Sequence, residues 1–278
     1  MTVLDFAALV ALGSLGAGFL GSLTGLGGGI VVIPMLTLGF GVDIRYAAGA
    51  ALVSVIATSC GAASAYVREG YSNLRIGMLL EIATTAGAVA GAAIASRVPT
   101  AALSVVFGVV LLVSAALGMR HAADPSGDDP PDPLARRLRL DGTLPTPDGP
   151  RPYHAHRVPA AFAIMGVAGG LSGLLGIGSG AFKVLALDRA MRLPFKVSTT
   201  TSNFMIGVTA AASAGVYLHR GYVDPALAMP VMLGVLAGSL AGARLLPHLA
   251  SRRLRLLFTA VLLALGAQMV ARGLGIRV

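Results

Sequence analysis

Two glycine-rich runs are the residues of this chain best suited to bind a ligand. They are Gly25-Leu26-Gly27-Gly28-Gly29 and Gly176-Ile177-Gly178-Ser179-Gly180, and each leads into a short apolar segment. Glycine permits backbone conformations that other residues resist. A helix that begins after such a break offers free N–H groups and a partial positive charge, an arrangement that binds small anions. We therefore predict that both runs bind an anion, and the alternative is tight helix packing without a ligand.

A lysine follows the second run closely. Lys183 lies three residues after Gly180, whereas Val32 occupies the corresponding place after the first run. A lysine in the first turn of a helix opposes the helix dipole and is costly in apolar surroundings, so a bound anion would compensate for both effects. Lys183 is therefore a candidate substrate ligand. Its stem could instead extend to an interface, or its ammonium group could pair with a carboxylate.

Hydroxyl and amide side chains follow one another from Ser198 to Asn203. Such groups can donate hydrogen bonds to anion oxygens or coordinate a small cation. The ligands that we predict are Thr200, Ser202 and Asn203, with Ser22 and Ser172 beside the glycine runs as further candidates. The alternatives are helix capping, interhelical hydrogen bonds, and bonds to the backbone of the same helix.

Glu81 is the carboxylate that lies well inside an apolar stretch, where it could accept a coupling proton. An ion pair and a cytoplasmic placement are the alternatives. We expect no catalytic residues, metal or cofactor, because the apolar segments contain no cluster of His, Cys, Asp and Glu, and His154 with His156 is a weak metal signal. Cys60 lies inside an apolar segment and is expected to be buried.

The composition places these residues in a lipid bilayer. Hydrophobic residues make up 55% of the chain, charged residues only 12%, and the mean hydropathy is +0.81. Such a chain is too apolar for a soluble protein of 278 residues. Most of the net charge of +9 lies in loops between apolar segments, where it fixes membrane orientation, so nucleic acid is excluded as a partner.

A sequence repeat organises the whole chain. Residues 16–119 correspond to residues 167–270 at a constant shift of 151 positions, so that Tyr66 matches Tyr217 and Gly70 matches Gly221. Each half has five apolar segments, and the second of them, after the glycine run, is too short for a straight spanning helix. Paired hydrophobic halves with broken segments are typical of transporters, whose site lies near the bilayer midplane.

The basic residues favour a topology with five spans in each half. This arrangement puts fifteen of them on one side and five on the other, whereas re-entrant short segments give nine against eleven. We predict an all-α membrane protein with ten helices in two inverted five-helix repeats, at 1–120 and 158–278, and both termini outside. Residues 121–157, with eight of the fifteen prolines, form a flexible cytoplasmic linker whose ends could order.

The ordered set of motifs in both halves resembles the TauE/SafE family of sulfite and organosulfonate exporters. Besides the glycine runs, the matching pieces are Ala65-Tyr66-Val67-Arg68-Glu69-Gly70, its repeat from Val216 to Gly221, and Gly234 to Arg244 with its G-x-x-x-G pair Gly238 and Gly242. The resemblance implies a multi-pass plasma-membrane transporter of small sulfur-containing oxyanions, such as sulfite or sulfoacetate, with its site at the glycine runs. The long linker and Ser179 in place of a glycine depart from the family pattern.

The resemblance and the repeat together predict a secondary transporter that exports its anion by alternating access around the glycine breaks. A monovalent anion that leaves an interior-negative cell gains about 2.3 kcal/mol per 100 mV, so export needs no coupled ion. The alternatives are an anion channel and an uptake permease coupled to H+ or Na+. The expected partners are the small anion and the lipid bilayer, and homodimer formation is left open.

Overall fold

A computed structural model describes residues 3–24, 27–119, 132–146, 149–178, 180–249 and 251–275. The described chain is mostly helical, as predicted. The helices of the first half are α1 (Val3–Thr24), α2 (Gly29–Pro34), α3 (Ile44–Arg68), α4 (Leu74–Ala95) and α5 (Thr100–Met119). Between the halves lie α6 (Pro133–Arg137), β1 (Gly142–Leu144) and β2 (Arg151–Tyr153). The second half comprises α7 (Val158–Leu175), α8 (Gly180–Leu185), α9 (Phe195–His219), α10 (Pro225–Leu245) and α11 (Ser251–Gly273).

The helices repeat at the same shift as the sequence. Adding 151 to both ends of α2 and α3 gives the ends of α8 and α9. The correspondence includes the π-helical turns that continue the two short helices, Met35–Gly39 after α2 and Ala186–Ala190 after α8. The two sequence repeats are therefore also two copies of one succession of helices.

The halves pack against each other reciprocally. Helix α1 packs on α10 and α4 packs on α7, while α3 contacts α9 and α5 contacts α11. Small residues permit these close contacts, since a Cβ atom added to Gly91 or Gly238 would meet the backbone of the facing helix. The G-x-x-x-G pairs Gly87 with Gly91 and Gly238 with Gly242 lie at these helix contacts.

The glycine contacts also give the direction of the packed helices. Gly234 faces Ala11 and Gly242 faces Phe19, so α1 and α10 run parallel. In the other pair, Gly108 faces Gly266 while Gly273 faces Ala101, so α5 and α11 run antiparallel. Helices α5 and α11 are equivalent helices of the two halves.

Hydrogen bonds and one cation–ring contact identify the two ends of the helical bundle. At the linker end, the Thr200 hydroxyl donates to the Tyr71 carbonyl at 2.8 Å, and the His156 amide donates to the Met191 carbonyl at 3.2 Å. At the opposite end, the Arg45 guanidinium lies 6.0 Å from the centre of the Tyr222 ring. The start of α3 and the turn after α9 thus share an end, away from the linker.

The second part of the linker departs from the flexible segment that the sequence predicts. Strands β1 and β2 form an antiparallel hairpin beside α6, so the described chain is not purely helical. The hairpin is anchored to the start of α4, where the Asn73 amide donates to the Leu140 carbonyl at 2.8 Å and to the Tyr153 hydroxyl at 3.1 Å. Residues 120–131, 147 and 148 lie outside the described residues.

Five of the described helices are long and apolar enough to cross a membrane. They are Asp5–Thr24, Ile44–Arg68, Leu74–Ala95, Val158–Leu175 and Pro225–Leu245, and shorter apolar helices are Gly29–Gly39, Thr100–Ala116 and Thr259–Gly273. The prediction of a helical membrane protein is confirmed at this level. One detail was wrong, because Cys60, expected to be buried, is exposed on α3.

Candidate functional site

Both glycine runs form left-handed turns. The backbone φ angles are +78° at Gly27 and +67° at Gly28 in the first turn, and +73° at Gly176 and +71° at Gly178 in the second. Residues with a Cβ atom rarely adopt these angles, which explains why the sequence places glycine here. Each turn ends one helix and starts another, since α2 begins at Gly29 and α8 begins at Gly180.

The two turns meet at one pair of apolar side chains, Val55 on α3 and Ile206 on α9. A Cβ atom added to Gly27 would touch both side chains, and one added to Gly178 would lie 2.8 Å from Val55 and 3.5 Å from Ile206. Val55 and Ile206 are equivalent in the two halves and lie near the middle of their helices. The structure therefore brings the two breaks together at mid-height, with apolar side chains between them.

The short helices leave this meeting point in opposite directions. Helix α2 and its π-helical turn lead to the start of α3, at the end of the bundle where Arg45 contacts Tyr222. Helix α8 and its π-helical turn lead to Met191, at the linker end. The N-termini of α2 and α8, which carry partial positive charge, thus face the centre from opposite sides.

Polar side chains of α9 connect the two breaks. The Asn203 amide donates to the Ser22 carbonyl at 2.8 Å, just before the first break, and the Ser202 hydroxyl lies 3.4 Å from the Gly180 carbonyl. The Asn203 amide oxygen and the Ser172 and Thr199 hydroxyls are buried without a hydrogen-bond partner among the described residues. Such groups retain free hydrogen-bonding capacity for a bound solute.

Other predicted ligands serve the backbone. The Thr200 hydroxyl bonds to the Tyr71 carbonyl at the linker end, away from the breaks. The hydroxyls of Ser22 and Thr24 bond to carbonyls of their own helix, Phe19 and Leu20, which is the alternative that the sequence left open. Gly25 and Ser179 lie outside the described residues.

Lys183 pairs with Glu81, so that the two intramembrane charges of the sequence analysis form one buried contact. The Lys183 ammonium nitrogen lies 3.1 Å from the Glu81 Oε2 atom, and the two side chains come from α8 and α4. The Thr209 hydroxyl on α9 accepts a hydrogen bond from Lys183 and donates one to Glu81 Oε1. The structure thus selects pairing with a carboxylate, one of the alternatives for both residues.

Three residues of this region escaped the sequence analysis: Val55, Ile206 and Thr209. All are uncharged residues in apolar segments, where their types carry no signal. The repeat could have pointed to them, because Val55 corresponds to Ile206 and Thr58 corresponds to Thr209 at the shift of 151. Pairs of equivalent residues next to a predicted break are thus a usable signal.

Comparison with known proteins shows the family to which this chain belongs. Residues 10–269 match the family described as "Sulfite exporter TauE/SafE". The chain is 28% identical to "Probable membrane transporter protein YunE" of Bacillus subtilis, over 98% of this chain and 99% of the relative. It is 29% identical to "Probable membrane transporter protein YdhB" of the same organism, over 79% and 82% of the two chains.

A third relative is "Probable membrane transporter protein ORF9" of Sinorhizobium, which is 24% identical over 92% of this chain and 88% of its own length. No solved structure matches the chain. Because the family match covers nearly the whole chain, including both glycine breaks and the helices around them, this protein belongs to the TauE/SafE family and is a membrane transporter.

Proposed function

We propose that the protein is a secondary transporter that exports a small sulfur-containing oxyanion, such as sulfite or sulfoacetate, across the plasma membrane. The observation that carries the proposal is the convergence of both glycine turns on Val55 and Ile206 at mid-height. Two helix N-termini directed at one place favour negative charge there. The hydroxyl of Ser172, four residues before the turn at Gly176, is buried without a partner among the described residues and supplies a further hydrogen-bond donor.

The contacts support ten spans in two inverted halves, and the distribution of basic residues favours a cytoplasmic linker and both termini outside. If α2 and α8 cross, equivalent helices of the two halves run antiparallel, as α5 and α11 do. If both short segments were re-entrant, α5 and α11 would run parallel, and Arg45 would lie at the end of the bundle away from Tyr222. The contact between Arg45 and Tyr222 therefore favours the crossing arrangement.

The apolar contact between the breaks supports alternating access as the proposed mechanism. Val55 and Ile206 fill the space where the two helix N-termini point, so an anion enters only when these side chains separate. Because the glycine turns belong to different halves, a small rotation of one half against the other would open the space to one side at a time. The anion would then be held by the breaks while access changes.

The test substitutes alanine at Gly178 and measures flux of sulfite and sulfoacetate in proteoliposomes. An added Cβ atom would be strained at the φ angle of +71° and would lie 2.8 Å from Val55, so we expect at least about a tenfold loss of saturable flux. The matched control is Gly221→Ala. Gly221 has a φ angle of +72° but no neighbour within 4 Å of an added Cβ atom, so flux should persist.

Two outcomes would overturn the proposal. One is unchanged flux in Gly178→Ala, since the break would then have no part in transport. The other is the absence of saturable flux for both anions in wild-type protein. Counterflow of labelled anion distinguishes a transporter from a channel with the same site, because a channel passes ions without a conformational cycle.

A further inference from the structure

Three buried side chains from three helices form a cluster whose role the proposed function does not yet explain. This charge cluster consists of Glu81 on α4, Lys183 on α8 and Thr209 on α9. Lys183 is 0% exposed and Glu81 is 6% exposed. The ammonium nitrogen lies 3.1 Å from Glu81 Oε2, the Thr209 hydroxyl bridges the two charges, and the Thr85 hydroxyl adds a bond to Glu81 Oε1 at 3.3 Å. The cluster joins the two halves of the protein.

The fold itself does not require these charges. At the shift of 151, the equivalents of Glu81, Lys183 and Thr209 are Met232, Val32 and Thr58. The other half thus builds the same helices around uncharged residues, and Val32 is fully buried. Transferring two charges from water into the protein interior costs free energy, and the attraction between them often does not offset this cost. A charge pair that the architecture does not need is therefore a candidate for function.

Glu81 and Lys183 differ in how close they lie to the surface of the protein. Glu81 and Thr85 line an open groove of about 560 Å³ together with Met78, Phe204 and Val208, whereas Lys183 lies behind them with no exposed surface. Among the described residues, the lining of the groove contains no other ionisable side chain, and α5 and α7, which pack near α8 and α4, contain none along their whole length. Helix α9, which packs on both α4 and α8, carries Lys196 and His219 at its two ends. Glu81 is therefore the charge that lies nearer to the surface of the protein, and Lys183 lies behind it.

We propose that the charge cluster is a proton-linked anion site, in which an oxyanion replaces Glu81 as the partner of Lys183. This inference rests on the proposed transport of an anion and names the group that couples it to protons. A proton adds to the Glu81 carboxylate and makes a neutral carboxylic acid. The Lys183 ammonium group, which keeps its own protons throughout, then pairs with an oxygen of the anion, and the Thr209 hydroxyl can turn to donate to the same anion.

The position of Lys183 connects this exchange to the broken helix. Lys183 lies three residues after Gly180, where α8 begins, so an anion bound to it also lies close to the second glycine break. When the anion leaves, Glu81 loses its proton and the ion pair forms again. Each cycle thus moves one proton with each anion, in place of the uncoupled export that the sequence alone suggested.

The first test measures proton uptake by wild-type protein, and so depends on no variant. Purified protein in detergent and weak buffer with a pH indicator is mixed with sulfoacetate, which is fully ionised near neutral pH. We expect uptake of one proton for each anion bound, and an apparent affinity that weakens about tenfold per pH unit on the alkaline side. Anion binding without proton uptake would overturn the inference and leave the proposed transport intact.

The second test uses Glu81→Gln, which mimics the protonated carboxyl group. This variant should bind sulfoacetate without proton uptake, with an affinity that no longer changes with pH, and should exchange anions while losing accumulation driven by a pH gradient. The control is Glu69→Gln, which removes an exposed carboxylate at the end of α3 and should keep the wild-type proton uptake.

A third measurement applies if the Glu81→Gln protein fails to insert into the membrane. The double variant Glu81→Met with Lys183→Val copies the uncharged residues of the other half, so it should insert, and it should bind sulfoacetate at least about tenfold more weakly. Wild-type affinity in this variant would overturn the inference. A wild-type protein that neither binds nor transports any tested anion would instead refute the proposed function.

Discussion

The two short helices occupy equivalent places in the two halves, but α8 is surrounded by charged side chains and α2 by uncharged ones. Around α8, Lys183 meets Glu81 and Thr209, whereas the equivalent residues around α2 are Val32, Met232 and Thr58. The helices that carry them begin at equivalent positions. The comparison shows that the same arrangement of helices accommodates charged or uncharged residues at these three positions. The two halves therefore share their architecture, and only one of them carries the charges.

A second asymmetry lies on the same helices. Asn73 and Asp224 are equivalent residues, and each caps its helix by accepting a hydrogen bond from a backbone amide, of Ile76 in α4 and of Ala226 in α10. Asn73 also donates to the linker hairpin, at the Leu140 carbonyl and the Tyr153 hydroxyl. The linker occurs once in the chain, and it anchors on the helix that carries Glu81.

Removing one charge should have the largest effect on stability. In Lys183→Met, the Glu81 carboxylate loses its partner in a buried place, which costs about 3–5 kcal/mol. In the double variant Lys183→Val with Glu81→Met, both charges disappear, and the expected change lies between neutral and about 4 kcal/mol more stable. Unfolding by SDS in mixed micelles measures both. Equal destabilisation of the two variants would show that the charges have a structural role that the other half does not reveal.

The bridging hydroxyl gives a smaller effect. Thr209→Val removes hydrogen bonds to two charged groups, with an expected cost of about 1.5–3 kcal/mol. Thr58→Val is the matched variant, because the Thr58 hydroxyl bonds to carbonyls of Ser54 at 2.9 Å and Gly27 at 3.4 Å. Its loss should cost about 0.5–1.5 kcal/mol. The same unfolding measurement applies, and an equal cost for both threonines would contradict the assigned bridge.

Much of the architecture was predictable from the sequence because it depends on repetition and local preference. The constant shift of 151 predicts the matching helices, and the positive φ angles explain the glycines at positions 28 and 178. These properties reside in patterns along the chain, which a single sequence displays.

The rest depends on contacts between distant residues. Glu81 and Lys183 are 102 positions apart, and each has several plausible partners until helix packing selects one. The hairpin of residues 142–153 escaped prediction because its prolines and charges are typical of a flexible segment, while its stability comes from anchoring on Asn73. The order of residue types along the chain shows neither which charged residues pair nor where the hairpin is anchored.

The two capping residues provide the next comparison. Asp224→Ala removes a cap and should cost about 1 kcal/mol. Asn73→Ala removes a cap and both bonds to the hairpin, so we expect about 2 kcal/mol and faster proteolysis of the linker. Unfolding in mixed micelles and limited digestion measure these effects. If both alanine variants leave digestion of the linker unchanged, Asn73 does not anchor the hairpin.

Alkaline pH should affect the anchored hairpin least, and in a defined direction. Burial raises the pKa of Tyr153, which is 5% exposed, above the usual tyrosine value of about 10, and the hydrogen bond from Asn73 opposes this only in part. Below about pH 10, the hydroxyl keeps its proton in both the folded and the unfolded chain.

Above that pH, the unfolded chain loses the Tyr153 proton first, so stability falls by at most about 1.4 kcal/mol per pH unit. Tyr153→Phe should remove this contribution, and the unfolding free energies of the two proteins should converge between about pH 10 and pH 11. A constant difference across that range would mean that the hairpin leaves Tyr153 open to water, and that the linker does not pack on α4 as closely as the bonds of Asn73 require.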